Sequence, residues 1–431
     1  MNFKNLLIFL FLFSNNFFGQ TGWIWTPLAS LPQPSTNHVL ASGIADGNQF
    51  VYLFGGIDST KSPVGISSKS MRYNVTTNMW EVISDLPFGL PRIAAGASTI
   101  KNKIYIAGGY HVYENLSEES LNKLHIFDPE TNGFLADGAD IPLAIDDHVQ
   151  AVWRDSLLFI VTGWSNTSNV SNVQIYNPST NTWMEGTPVP NNTSYKAFGA
   201  SGAIVGDTIY YAGGAVGNNF IGTNKFRKGI INQNNPTEIT WLLEADNPGN
   251  TGYRMGAIEL ENSIYWLGGG ENTYNFDGIA YDGSGGVAPL ERIMEYNTVT
   301  KVWNEGLGAP YGIMDIRGLA PIDDQRFIVA GGMGFDQEVV SDVYLVERIL
   351  PNDLNEIKEE SFFKIIDNPT INKQLNFSLN AQSNYRIYNC IGQVLQLGKL
   401  LQGNHILDLA YLKSGIYFLE IMNEREKFVV D

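Results

Sequence analysis

Pairs of glycines divide most of this chain into pieces of similar length, and that punctuation restricts it to a repeated architecture. Each pair closes a short apolar run: FGG (Gly55, Gly56), AGG (Gly108, Gly109), a broken TGW (Gly163, Trp164), AGG (Gly213, Gly214), LGG (Gly268, Gly269) and AGG (Gly331, Gly332). Successive first glycines lie 53, 55, 50, 55 and 63 residues apart. A period near fifty means one supersecondary unit used again and again, each burying its apolar faces only against its neighbours.

Within the unit, two aromatics stand seven residues apart across a polar turn. The pairs are Tyr73 and Trp80, Phe127 and Phe134, Tyr176 and Trp183, and Tyr296 and Trp303. Turn formers such as NPSTN between them predict a hairpin with an aromatic on each strand. The fourth unit keeps Trp241 behind a longer, Asn-rich turn, which predicts an extended strand. The sixth unit ends at SDVYLVE without a tryptophan, whereas the start of the chain carries WIWTPLASLP. Trp25 there occupies the place of Trp80 in its own unit, so an N-terminal strand is expected to complete the last blade and close the ring. Six doublets give six blades. Doublet, aromatic pair and period together resemble the kelch family, which implies an all-β fold: a six-bladed kelch β-propeller over residues 20–348, followed by a small C-terminal β-sandwich.

The chain has 431 residues, a net charge of −17 and one cysteine, Cys390. So acidic a chain argues against nucleic acid as a partner, since polyanions need a basic footprint. Lys4, the apolar run Leu6–Phe13 and a polar exit to Gln20 read as a secretory signal over residues 1–19. That run is too short for a membrane span, which needs about twenty apolar residues, and no later stretch qualifies. A single cysteine leaves no internal disulfide.

Residues 349–361 are charged, lack strand patterning and read as a linker. From 362 to 431 short alternating strands joined by glycine turns predict a sandwich. Asn368-Pro369, Tyr388-Asn389 with Gly392-Gln393, Leu409 with Leu412, Ser414-Gly415-Ile416-Tyr417 and Lys427 follow in order. This segment resembles the type A C-terminal sorting domain of the type IX secretion system of Bacteroidota. The resemblance implies an engagement with that secretion machinery and a place outside the cell, on its surface or in the medium.

One basic residue precedes each innermost strand: His38, Arg92, His148, Lys196, Arg254 and Arg317, at 17, 16, 15, 17, 14 and 14 residues before the next doublet. Equivalent positions of a propeller share one height around the axis, so six cations are expected to converge on one mouth. Asn37, Asp146, Asp147, Tyr195, Tyr253, Tyr311 and Asp315 add hydrogen-bonding neighbours. Such a mouth would hold a carboxylated or polar ligand, a glycan or a protein, because arginine pairs bidentately with carboxylates. The competing reading gives these residues to loop carbonyls, with Asp146, Asp147 and Asp315 as internal counter-charges.

Catalytic signatures are sparse. A copper-radical oxidase needs a cysteine–tyrosine cross-link, and the sole cysteine lies in the C-terminal segment. No HExxH, Walker loop or nucleophile elbow occurs, the GSGG run after residue 282 reads as a loop, and NFDGIAYDG lacks calcium-loop spacing. No cofactor or metal is expected. The fold and mouth chemistry also resemble bacterial sialic acid mutarotases, an alternative in which an arginine clamps the sugar acid and Asp147, His148 or Asp315 moves the proton. Binding is the leading expectation, and sugar isomerisation the alternative.

Overall fold

The computed structural model describes residues 22–87, 89–305, 309–349, 363–379, 382–390, 393–421 and 424–430. It forms two compact units, divided between Ile349 and Leu350. The signal and nearly all of the linker expected from sequence lie outside the described residues. Among the described residues no helix is long and apolar enough to cross a membrane.

The first unit is built from six antiparallel four-stranded sheets. Blade 1 comprises Val39–Ala45, Asn48–Phe54, Ser70–Asn74 and Met79–Ile83, innermost first. The following blades begin with inner strands Gly96–Ile100, Val149–Trp153, Ser201–Val205 and Gly256–Leu260. Blade 6 has a two-residue inner strand, Ala320–Pro321, and then Arg326–Ala330 and Val343–Ile349. Its outer strand is Gly22–Pro27 from the other end of the chain, paired so that Trp25 faces Val346. The ring is therefore closed by hydrogen bonds between the two ends of the unit, as the tryptophan pattern implied.

Side chains alternate between the two faces of every strand, so each blade feeds two interfaces. On the second strand of blade 1, Val51 and Leu53 join blade 6 residues such as Ile328, while Tyr52 and Phe54 join Ile104 and Phe127 of blade 2. The seven-residue aromatic pairs face each other across their hairpins: Tyr73 opposite Trp80, Phe127 opposite Phe134, Tyr176 opposite Trp183, Tyr296 opposite Trp303. The indole of Trp80 donates to Ala29 O and that of Trp183 to Ala139 O, both at 2.8 Å, tying outer strands to the segment leading in from the previous blade. Blade 4 has the expected longer strands, Phe226–Asn232 and Asn235–Leu243. There Gly229 lies opposite Trp241, and a Cβ on Gly229 would sit 2.4 Å from the indole ring, so glycine makes room for it.

The glycine pairs are inter-blade clasps. The second glycine donates to the neighbouring blade, as in Gly109 to Ile145 O at 2.9 Å and Gly269 to Ile313 O at 2.8 Å. The first adopts positive φ, and at Gly268 (φ 63°) a Cβ would stand 2.0 Å from Ile313 O. The third clasp corrects the sequence reading by one residue: it is Thr162-Gly163, not Gly163-Trp164. Thr162 takes the left-handed place at φ 48°, and Gly163 fits against Asp146 O and His148 as Gly56 fits against Thr36 O and His38. Thr162 tolerates this because its hydroxyl accepts from Ala197 N (3.1 Å) in blade 4 and donates to Val170 O (2.7 Å).

The second unit is a sandwich of a three-stranded sheet (Phe363–Ile365, Gln374–Leu379, Gly403–Asp408) and a four-stranded one ordered Val394–Leu400, Ser383–Asn389, Gly415–Ile421, Glu424–Val430. Leu375, Phe377, Ile387, Leu409, Leu412, Leu419 and Phe428 fill it. The sequence motifs hold its turns. Asn368 donates to Lys427 O (2.9 Å) and accepts from Val429 N (3.0 Å), while Tyr417 donates to Lys413 O (2.8 Å).

Gly268→Ala is expected to destabilise the propeller by more than about 2 kcal/mol, since both φ and the carbonyl oppose a methyl group. Gly283→Ala also sits at positive φ but in open space, and should cost only about 1 kcal/mol. All nine tryptophans precede residue 349, so denaturant unfolding followed by tryptophan emission reads the propeller alone. Equal costs would contradict the clasp.

Candidate functional site

Six residues in the left-handed conformation stand just ahead of the inner strands: Asn37, Ala94, Asp147, Gly199, Arg254 and Asp315. The carbonyl of each accepts a backbone hydrogen bond from the next blade. Asn37 N donates to Asp315 O (3.0 Å), Ala94 to Asn37 (3.4 Å), Asp147 to Ala94 (3.0 Å), Gly199 to Asp147 (2.8 Å) and Arg254 to Gly199 (2.8 Å). Ile316 N donates to Arg254 O (3.2 Å) and completes the circle. The Asn37 side chain reinforces it by accepting from Ala94 N at 2.9 Å.

Across this circle lies Arg254, 1% exposed. Its Nε and Nη2 grip the Asp147 carboxylate at 3.0 and 2.6 Å, Nη1 reaches Asp315 at 3.2 Å and Nη2 reaches the Tyr110 hydroxyl at 3.4 Å. The guanidinium also lies 5.1 Å from the Tyr253 ring centroid and 5.6 Å from that of Tyr274. Burial opposes its charge, yet Asp147, Tyr253, Tyr110 and Asp315 outweigh that and raise its pKa well above the usual arginine value. Arg317 joins the same carboxylate at 3.5 Å and donates to His148 O at 3.0 Å. Burial, with the charge of Asp147 behind it, pushes Asp315 up to about 6, against the pull of Arg254 and a hydrogen bond from Thr36.

The six basic residues do not converge. Arg254 and Arg317 meet at the axis. His148 lies beside them, its Nε2 3.1 Å from Gln150 Oε1, and burial lowers it to about 4, so it is neutral at pH 7. His38 is likewise buried, lowered to about 4, and bonded to Ser35. Arg92 is turned into blade 2, where it donates to Gly108 O (3.1 Å) and contacts His125, with burial lowering it to about 10. Arg227, absent from the sequence expectation, does the same for Gly213 O in blade 4. Lys196 is half-buried in a turn, its amide bonded to Asn192 O. Tyr195 packs half-buried against the core between blades 3 and 4, and Tyr311 lies edge-on to Trp25. Tyr253 is buried beside Tyr274 and Phe198. The loop-carbonyl reading therefore describes Arg92, and internal carboxylates neutralise the arginines that do reach the axis. The slip is one of register: the residues at equal height are those at positive φ, whereas the basic residues stand up to three positions away.

The circle and its arginine separate two cavities. On the inner-strand side a channel of about 370 Å³ runs past Ser42, Ala97, Gln150, Gly202 and Leu319. On the loop side a smaller pocket of about 90 Å³ is bounded by Tyr110, Glu118, Asp146, Asp147, Trp164, Phe198, Phe220, Arg254 and Tyr281. Trp164 lies 5.2 Å from Phe198 and 5.3 Å from Phe220, which lies 4.6 Å from Tyr281. Asp146 is buried and accepts from Ser120 Oγ at 2.5 Å, and burial followed by the charge of Asp147 raises it well above the carboxylate range. Glu118 stands on the rim and is raised by desolvation. Apart from Asp146, Asp147, Arg254 and Trp164, sequence reading did not pick out these residues. For all of them but Phe198 the available signal was position after a clasp: Tyr110 and Glu118 in the hairpin Tyr110–Val112 with Glu118–Ser120, Phe220 between Ala215–Val216 and Ile221–Gly222, and Tyr281 in the insertion before Ile293–Asn297.

Comparison with known proteins agrees with this architecture. Residues 21–225 match the KLHDC2/KLHL20/DRC7 Kelch-repeats domain, and residues 364–431 match the secretion system C-terminal sorting domain. Alpha-scruin of Limulus polyphemus is 30% identical over 163 residues, covering 36% of this chain and 17% of scruin. Human kelch-like protein 23 is 25% identical over 241 residues, covering 53% of this chain and 36% of its own length. The chain thus spans about a third or less of these curated relatives. The solved structure of YjhT superposes with a TM-score of 0.59 at 16% identity, covering 75% of this chain and 99% of that one, a likeness of fold.

Because His38 and His148 are buried and neutral, neither should ionise above about pH 5. Their folded pKa values lie below the unfolded one, so the stability they allow is lost as pH falls from about 6.5 towards 4. NMR titration of labelled histidines checks this, and ionisation of either near 6.5 would contradict the placement.

Proposed function

We propose that this chain, a kelch-repeat propeller joined to a secretion-system sorting domain, is an exported binding module that recognises a protein or glycan ligand at the loop-side mouth. The sorting domain places it outside the cell, on the surface or in the medium. The observation that supports binding is the loop-side pocket, where half-buried Trp164, Phe220 and Tyr281 stand beside carboxylates at the end of the ring. Aromatic faces with a few fixed polar groups are the usual composition of a recognition site.

Arg254 has a structural part in this reading. Four of its five donors go to Asp147, Asp315 and Tyr110, so it braces the floor of the pocket with its charge already paired to internal carboxylates. The mouth is therefore not the basic one that the sequence suggested. A second reading, sugar isomerisation, is favoured by one observation: Asp146 borders the pocket with a raised pKa, as a proton-transferring carboxyl would. It differs from the residues singled out for that role, since Asp315 is closed off behind Arg254 and His148 lies on the channel side.

Trp164→Ala and Tyr281→Ala in the full chain should weaken binding by at least about tenfold in glycan-array and cell-surface capture assays. Unchanged capture by both variants contradicts a ligand site at the mouth. Faster interconversion of sialic acid anomers by NMR, lost in Asp146→Asn, would establish the enzymatic reading instead.

A further inference from the structure

The size and charge of the loop-side pocket narrow its ligand. At about 90 Å³ it is far smaller than the roughly 300–1,000 Å³ of sites that engulf whole small molecules. It has room for one compact head group on a slender stem. Its walls are aromatic faces, and its polar groups are mostly acidic: Asp146 and Glu118 have no basic side chain within ion-pair distance among the described residues, while Arg254 is already shared by Asp147 and Asp315. Aromatic faces attract cations through their quadrupole, and an arriving ammonium would supply the counter-charge that the buried Asp146 carboxyl lacks, favouring its ionised form. An incoming anion would meet Asp146 and Glu118 and find no free guanidinium.

We infer that the pocket receives an alkylammonium group, namely a lysine side chain presented by a basic protein ligand. The inference rests on the reading of this mouth as a binding site. A lysine stem is four methylenes long, enough to lie against Trp164 and Phe220 and bring its ammonium to Asp146, while Glu118 on the rim attracts its approach. The net charge of −17 draws a basic protein towards this surface. The amino group of a deacetylated sugar shares the ammonium chemistry but carries a pyranose ring, bulkier than a methylene stem, into a pocket of about 90 Å³.

Three probes test it by titration against the full chain, with tryptophan emission or heat as readout: a tetralysine peptide, its Nε-acetylated twin, and a glucosamine tetramer. Saturable binding of the lysine peptide is expected, weakened about tenfold or more by acetylation and by Trp164→Ala. Glu118→Gln, a rim change that leaves the fold intact, should weaken it several-fold. Equal affinity for the acetylated twin, or lysine binding that survives Trp164→Ala and so reflects diffuse attraction to an acidic surface, overturns the inference. Tighter binding of the glucosamine tetramer overturns the choice of a protein lysine. Those results leave the mouth as a binding site if Trp164→Ala still abolishes capture of other ligands; if it does not, the broader reading fails as well.

Discussion

Around the axis of the propeller, one hydrogen bond per blade is handed on by residues held at positive φ, and the side chains of three of them interlock across the opening. Arg254 spans from blade 5 to Asp147 in blade 3 and Asp315 in blade 6. A buried arginine without carboxylates would be costly, and so would two buried carboxylates without the arginine; removal of either partner of such a pair typically costs about 3–5 kcal/mol. Together they let three charged side chains lie buried at the axis of the sheet assembly. The blades are thus fixed to each other at their inner ends by polar bonds, at their middles by aromatic and aliphatic packing, and at their outer ends by the indole bonds of Trp80 and Trp183.

That internal pairing governs the chemistry left over for a ligand. Cations that reach the axis are consumed there, and among the described residues that line the loop-side pocket Asp146 and Glu118 have no ion-pair partner. The electrostatic character of the mouth is therefore opposite to what a count of basic residues ahead of the inner strands suggests. Aromatic side chains from three hairpins and a long insertion complete it, and these belong to the segments that vary most in length between repeats. The same division holds through the chain: the repeated positions build the wheel, and the unrepeated loops between clasp and third strand build the site.

Much of the wheel was legible in the sequence because its determinants are local and periodic. The glycine pairs mark clasps, the seven-residue aromatic pairs mark hairpins, and the spare tryptophan at the start of the chain marks the closing strand. The third clasp was read one residue late, since Thr162 supplies by its hydroxyl what a glycine supplies by its backbone. The site was less legible. Arg92 and Arg254 look alike in sequence, yet a two-residue difference relative to the positive-φ position sends one into a blade and the other to the axis. Four of the six residues at that position, Asn37, Asp147, Gly199 and Asp315, are types that tolerate a left-handed backbone, and the register they set puts Arg254 on it and Arg92 two residues ahead of it. Trp164, Phe220 and Tyr281 are distant in sequence and meet only through the ring geometry.

The central claim is that Arg254 is an internal brace, bound to carboxylates of other blades and unavailable to a ligand. A double-mutant cycle on propeller stability with Arg254→Met, Asp147→Asn and the pair measures this directly. The account predicts a coupling of about 2 kcal/mol or more, with each single change destabilising and the double change recovering part of the loss. Additive effects, with Arg254→Met leaving the unfolding midpoint unchanged, would contradict it.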